Sequence, residues 1–120
     1  MTWSGIAYFG EHEFRCPCCG AVSMDPHVVR CLDMARGMAG VPFEINSGFR
    51  CAAHNRAVGG RRKSAHLDGY AADIRAASSE ARFKILHALL RIGFRRIGVY
   101  PTFIHADMAP GRPSGVVWID

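Results

Sequence analysis

Residues 48–69 constrain this chain more than any other stretch: they are rich in Gly, Arg, Asn and Ser, include Gly59-Gly60, and carry no sustained hydrophobic period. A chain of 120 residues with 49% hydrophobic content has room for one core, so this stretch is not read as a linker between two. It is expected to be an ordered loop inside a single domain spanning residues 1–120, and ordered loops this long in small domains are usually functional. The regular elements must then lie on either side of it.

Before the loop, Asp25 can cap a helix and Pro26 can occupy its first turn. Val28, Val29, Leu32, Ala35 and Met38 follow near helical spacing, and Gly40 is the stop. Residues 42–46 alternate apolar and polar as a half-buried strand does, ending at Ser47-Gly48. Beyond the loop, residues 70–75 read as a short buried strand. Ser78 or Ser79 caps a second helix carrying Phe83, Leu86, Leu89 and Leu90 up to Gly93. Residues 96–100, 103–107 and 116–119 are strand-like and joined by Pro and Gly turns. The order is not a strict βαβ alternation. It predicts an α+β fold, with a mainly antiparallel sheet and two main helices packed on one face.

Fifteen Lys and Arg against ten Asp and Glu give a net charge of +5, gathered in Arg61-Arg62-Lys63 and residues 91–96. An acidic polymer suits that surface, and nucleic acid and anionic wall polymers suit it equally. Apolar stretches are broken well short of the roughly 18 residues of a membrane span, and no basic-then-apolar leader opens the chain. Neither membrane insertion nor an export signal is expected. Five cysteines, an odd number, point to a reducing compartment.

Three residues have the chemistry of a hydrolytic zinc site, which needs three protein ligands and one open position. His66 closes the polar loop. Asp73 is a charge inside the apolar run Ala71-Ala72-Asp73-Ile74, costly unless a metal, a cation or hydrogen bonds compensate it. His105 sits in Phe103-Ile104-His105-Ala106-Asp107, where strand alternation puts Phe103, His105 and Asp107 on one face. A hydrogen-bonded structural His or Asp is the competing reading, and no H-E-x-x-H helix is present. Cys16, Cys19, Cys31 and Cys51 could hold a second, structural zinc ion, although their spacing is not that of a standard ribbon; free thiols or a disulfide are the alternatives.

The runs Ser47-Gly48-Phe49-Arg50, His54-Asn55, Val58-Gly59-Gly60, Ser64-Ala65-His66 and Gly69-Tyr70-Ala71-Ala72-Asp73, followed by residues 98–101 and 103–107, resemble the D-alanyl-D-alanine carboxypeptidase family of zinc peptidases, in its short phage-type or murein-endopeptidase-like form. The resemblance implies a Hedgehog/DD-peptidase fold, with zinc on His66, Asp73 and His105. It implies hydrolysis of peptide bonds in peptidoglycan, by a D,D-carboxypeptidase or a murein endopeptidase. Arg50 and Ser64 fall where the family binds substrate and polarises the scissile carbonyl. Arg50 is expected to act on substrate or transition state and not to hold the fold, with a structural salt bridge as its alternative and a turn hydrogen bond as that of Ser64. With no export signal visible, the protein is expected to be made in the cytoplasm and to reach the wall through a lysis pore or a phage particle, unless a leader has been lost; a wall peptide is its expected partner and a monomer its expected state.

One position departs from the family: Thr102 stands where many members place a carboxylate base, and it cannot take a proton. Asp107 is therefore the expected proton carrier, with support of the ligand His105 or pairing with an Arg such as Arg112 as its alternatives. Thr102 also keeps open a zinc-containing wall-binding module with impaired catalysis. A nucleic-acid-binding zinc protein is disfavoured, because there is no second C-x-x-C and no aromatics interleave the basic runs.

Overall fold

The computed structural model describes residues 1–120. Helix α1, Pro26–Ala39, starts as its sequence predicts: Asp25 Oδ2 accepts the Val28 N–H at 3.1 Å, Pro26 fills the first turn, and Gly40 ends the helix at φ 71°. Val28, Val29, Cys31, Leu32 and Ala35 form its buried face. The second long helix, Ser79–Ile92, is capped by the Ser78 hydroxyl on the Ala81 N–H, and Ile85, Ala88 and Leu89 are its buried residues. Its core face differs from expectation, for Phe83 is 69% exposed. Phe83 lies two residues from Ile85, roughly half a turn round the helix, and stacks on His87 with ring centroids 5.9 Å apart. Leu90 and, on α1, Met38 also turn outward.

The aperiodic stretch holds a short helix that its sequence does not announce. This α2, Ala52–Ala57, is capped by the Cys51 sulfur and buries only Asn55, so it has no apolar stripe to read. The long Ser79–Ile92 helix is accordingly α3. A 3-10 turn at Ala65–Asp68 completes the loop, and another at Glu11–Phe14 lies near the N-terminus.

Five strands, β1 (Ile45–Ser47), β2 (Ala71–Arg75), β3 (Arg96–Val99), β4 (Phe103–Asp107) and β5 (Val116–Ile119), make one sheet in the order β1-β2-β4-β3-β5. All pairings are antiparallel except β3 with β5. The first strand begins later than the alternation at 42–46 suggests, since only Ile45 and Ser47 find partners, in Ile74 and Asp73.

Because side chains alternate across a strand, register decides what each face carries. Ala72, Ile74, Ile97, Ile104 and Ala106 join α1 and α3 in a single core, together with Phe14 and Phe94. The opposite face carries a transverse row, Ser47, Asp73, His105, Gly98 and Trp118, each the Cα partner of the next. Beside it runs a second row, Ala71, Asp107, Arg96 and Val116. The helices thus cover one face and leave the polar rows on the other. No helix is long and apolar enough to cross a membrane.

Candidate metal centre

Asp73 and His105 are cross-strand partners, and the 3-10 turn brings His66 over them. The Ser64 hydroxyl accepts the His66 N–H at 3.2 Å, and Gly69, at φ 76°, closes the turn. A side chain at Gly69 would drive its Cβ into the Ser23 carbonyl, so the turn has no room for another residue there. One nitrogen or oxygen from each of His66, Asp73 and His105 lies within 4.8 Å of the others.

Hydrogen bonds fix which ring nitrogens face inward. His66 Nδ1 lies 2.7 Å from the Gly48 carbonyl, which can only accept, so Nδ1 carries the proton. The buried Nε2 is left with its lone pair, has no hydrogen-bond partner, and faces Asp73 Oδ1 at 3.3 Å. His105 Nε2 donates to Asp107 Oδ2 at 2.7 Å, and its Nδ1 stands 2.9 Å from the same Asp73 oxygen. Two ring nitrogens and a carboxylate therefore converge on one point. An acceptor facing an acceptor in a buried site is unfavourable, and a cation between them removes the conflict. The donor set, two imidazoles and a carboxylate, is one that suits zinc.

Asp107 is 1% exposed, and both its oxygens are engaged. Oδ1 accepts from Arg96 Nε at 2.8 Å and from the Ala109 N–H at 3.0 Å, while Oδ2 holds His105. Of its expected roles, this placement matches support of the ligand. The arginine it pairs with is Arg96, whereas Arg112 donates to the Lys63 carbonyl.

Charge balance is tight. Burial alone would raise the Asp73 carboxyl, but the adjoining His105 and His66 outweigh it and hold it well below the usual carboxylate range. Burial likewise opposes charge on His105, and Asp107 and Asp73 reverse that and raise it. Asp107 is lowered against its own burial by His105, the Ala109 N–H and Arg96.

Arg50 makes the ion pair of its structural alternative and also faces the cleft. Its guanidinium donates to Ser47 Oγ at 3.0 Å, Asn55 Oδ1 at 3.3 Å and Asp73 Oδ2 at 3.2 Å, so it bridges β1, α2 and β2 and holds local structure. Buried Asn55 passes the connection on by donating to the Arg61 carbonyl at 2.8 Å. Arg50 and Ser64 also line the cleft over the three ligands, which has a volume of about 680 Å³. Ser64 makes the turn bond to His66, and its hydroxyl can still donate.

Other lining residues are not singled out as site residues by the sequence, although Phe103 shares the strand face of His105 and Tyr100 lies in the family motif. Arg96, Tyr100, Phe103 and Trp118 form one wall; Trp118 Nε1 donates to the Tyr100 hydroxyl at 3.0 Å, and the indole lies 5.4 Å from the His105 ring. For Arg96 and Trp118, the strand alternation of β3 and β5 is the signal that could have pointed to them. Asp73 and Asp107 are the only carboxylates lining the cleft, and Thr102 is exposed outside it.

The cysteines group differently from the expected set of Cys16, Cys19, Cys31 and Cys51. Cys16, Cys19 and Cys51 have sulfurs within 4.8 Å of one another. Cys31 is on the buried face of α1, beside His27, because helical spacing commits it to the core. The Cys16 thiol is buried, which would raise its pKa, but the backbone N–H groups of Cys51, Cys19 and Cys18 bring it down to about 6.

A family model described as Peptidase M15 matches residues 7–107 of the chain. No curated protein matches it in sequence. Among solved structures, the chain is similar to the crystal structure of the Serratia marcescens L-Ala D-Glu endopeptidase ChiX, with a TM-score of 0.57 and 21% identity over 72% of this chain and 80% of that one. At that identity the likeness is one of fold.

Proposed function

The chain belongs to the Peptidase M15 family, and from that membership we propose that it is a zinc-dependent peptidase cutting peptide bonds in the stem or cross-link peptides of peptidoglycan. The observation that carries the reading is the buried His66 Nε2, unpartnered and aimed at the same point as His105 Nδ1 and Asp73 Oδ1. His66, Asp73 and His105 would hold the zinc. When bound, the ion supplies Lewis acidity for the scissile carbonyl and lowers the pKa of water.

The remaining work falls to the chain's own groups. Arg50 lines the cleft beside Asp73 and presents a planar donor edge for an oxyanion or a terminal carboxylate. Arg61 and Arg112 extend the positive lining, which suits the free carboxylates of wall peptides. Tyr100 and Trp118 wall the site beside His105. Asp107 acts as a positioning residue: it fixes the tautomer and orientation of His105, and His105, the Ala109 N–H and Arg96 favour its ionised form. With both lining carboxylates engaged, the proton for the departing amine comes from solvent in the cleft.

Digestion of purified peptidoglycan, with products read by mass spectrometry, tests the proposal. Soluble peptide fragments or released D-Ala that vanish with chelator and return with zinc are expected, and the product masses tell endopeptidase from carboxypeptidase. The lack of an unengaged carboxylate favours one second reading, a wall-binding module without turnover. Sedimentation with peptidoglycan but no product at any zinc level would select it. Either activity requires that the protein reach the wall.

A further inference from the structure

We propose that Cys16, Cys19 and Cys51 form a second metal site, a thiolate site for a zinc-class ion that staples the N-terminal segment to the residues around Arg50. Residues 16–20, Cys-Pro-Cys-Cys-Gly, make a tight knuckle: the Cys16 N–H donates to the Ala21 carbonyl and the Gly20 N–H to the Cys16 carbonyl, both at 2.8 Å. Gly20 takes φ 74°, a turn that favours glycine. The knuckle presents Cys16 and Cys19 to the third sulfur from a distant part of the sequence. Cys51 Sγ lies 3.7 Å from Cys16 Sγ. Tetrahedral zinc with bonds of about 2.3 Å sets its sulfurs about 3.8 Å apart, so this pair already has the spacing of co-ligands.

Backbone donors further suit the sulfurs to negative charge. The Cys51 N–H points at Cys16 Sγ at 3.5 Å, and the His54 N–H at Cys51 Sγ at 3.4 Å. Cys18, exposed and with its sulfur 3.7 Å from that of Cys51, is the nearest group for the fourth corner. Soft thiolates select zinc over magnesium or calcium. Cys51 directly follows Arg50, and the Phe49 N–H donates to the Phe14 carbonyl at 3.0 Å, so an ion here would clamp two segments that already touch beside the cleft.

Zinc per chain, measured by mass spectrometry on protein purified under reducing conditions, tests the site. Two ions are expected in the wild type and in Cys31→Ser, and one each in His66→Ala and in the Cys16→Ser/Cys19→Ser double variant. Cobalt adds a readout that depends on sulfur. Cobalt-loaded wild type and His66→Ala should both show strong sulfur-to-cobalt charge-transfer absorption in the near ultraviolet, which His66, Asp73 and His105 cannot produce. Because the wild type itself gives the band, misfolding of a cysteine variant does not hide the answer. A wild-type zinc content that the Cys16→Ser/Cys19→Ser variant keeps in full, absence of the band, or a Cys16–Cys51 disulfide in the reduced preparation would overturn the proposal. A persistent band in protein that never cuts peptidoglycan would leave this site standing and remove only the peptidase reading.

Discussion

Asp107 shows how one side chain can be read three ways in sequence and one way in space. It shares a strand face with His105, and that much is legible from alternation. The pairing with Arg96 is not, because it depends on β3 lying next to β4. Asp107→Asn should weaken zinc binding by about 10–100-fold, through loss of the carboxylate that orients His105. Turnover at saturating zinc should fall much less, and full zinc affinity with lost turnover would instead make Asp107 the proton carrier. Chelated protein also has a definite pH response. The lowered Asp73 and Asp107 stabilise it above the unfolded carboxylate pKa, about 4, and lose that effect as pH falls. The raised His105 stabilises it fully below the unfolded value, about 6.5, and loses that effect as pH climbs through the raised one. The urea midpoint in chelator should therefore peak between roughly pH 4 and 6.5, and a steady rise up to pH 8 would contradict the pairing. Arg50→Lys should lower both activity and stability, the latter by about 1–3 kcal/mol, since Asn55 is buried and loses a donor. Unchanged melting with lost activity would restore the purely substrate-binding role expected from sequence.

At the level of elements, helices with strong caps and apolar spacing were readable to within a residue or two, as α1 and α3 show. Failure came where tertiary contacts and not periodicity decide. Nothing local distinguishes α2 from loop, for its start rests on a cysteine sulfur and its one buried residue is polar. Phe83 looks like a core residue by type and is not one by angle. His66, Asp73 and His105 were legible as candidates because a charge in an apolar run stands out and the family resemblance singled out the set, whereas the aromatic wall depends on β5 docking parallel to β3. Gly98 sits where that wall meets the site: a Cβ there would come 2.4 Å from Trp118 Nε1 and 2.8 Å from Tyr100 Cε2. Its absent side chain lets the indole lie beside His105. Gly98→Ala should cost about 1–3 kcal/mol by overpacking and shift tryptophan fluorescence as Trp118 moves. An unchanged spectrum with unchanged stability would mean the wall yields without strain.

Across the whole molecule, the core and the candidate site are separated by one sheet, and the N-terminal segment connects them round its edge. Phe14 is fully buried in the core cluster, 5.4 Å from the Phe9 ring and 5.5 Å from that of Trp3. Gly48 rests directly on it, so closely that a Cβ on Gly48 would lie 2.7 Å from Phe14 Cα. The carbonyl of that same glycine accepts from His66 Nδ1 and thereby leaves Nε2 open toward the metal position. Packing and ligand geometry are therefore linked through two residues. Phe14→Ala should cost about 3–5 kcal/mol as a large core truncation. It should also loosen the shelf under Gly48 and let the His66 ring tilt, so zinc affinity should fall in the fraction that remains folded. Phe14→Leu, which keeps most of the volume, should lose much less of both. Titrating zinc into each variant at a temperature where it is fully folded separates the two effects. Lost stability with wild-type zinc affinity in Phe14→Ala would show that Gly48 is held by its strand neighbours alone. A parallel loss across Ala and Leu would show that the aromatic segment near the N-terminus presses the metal site into shape.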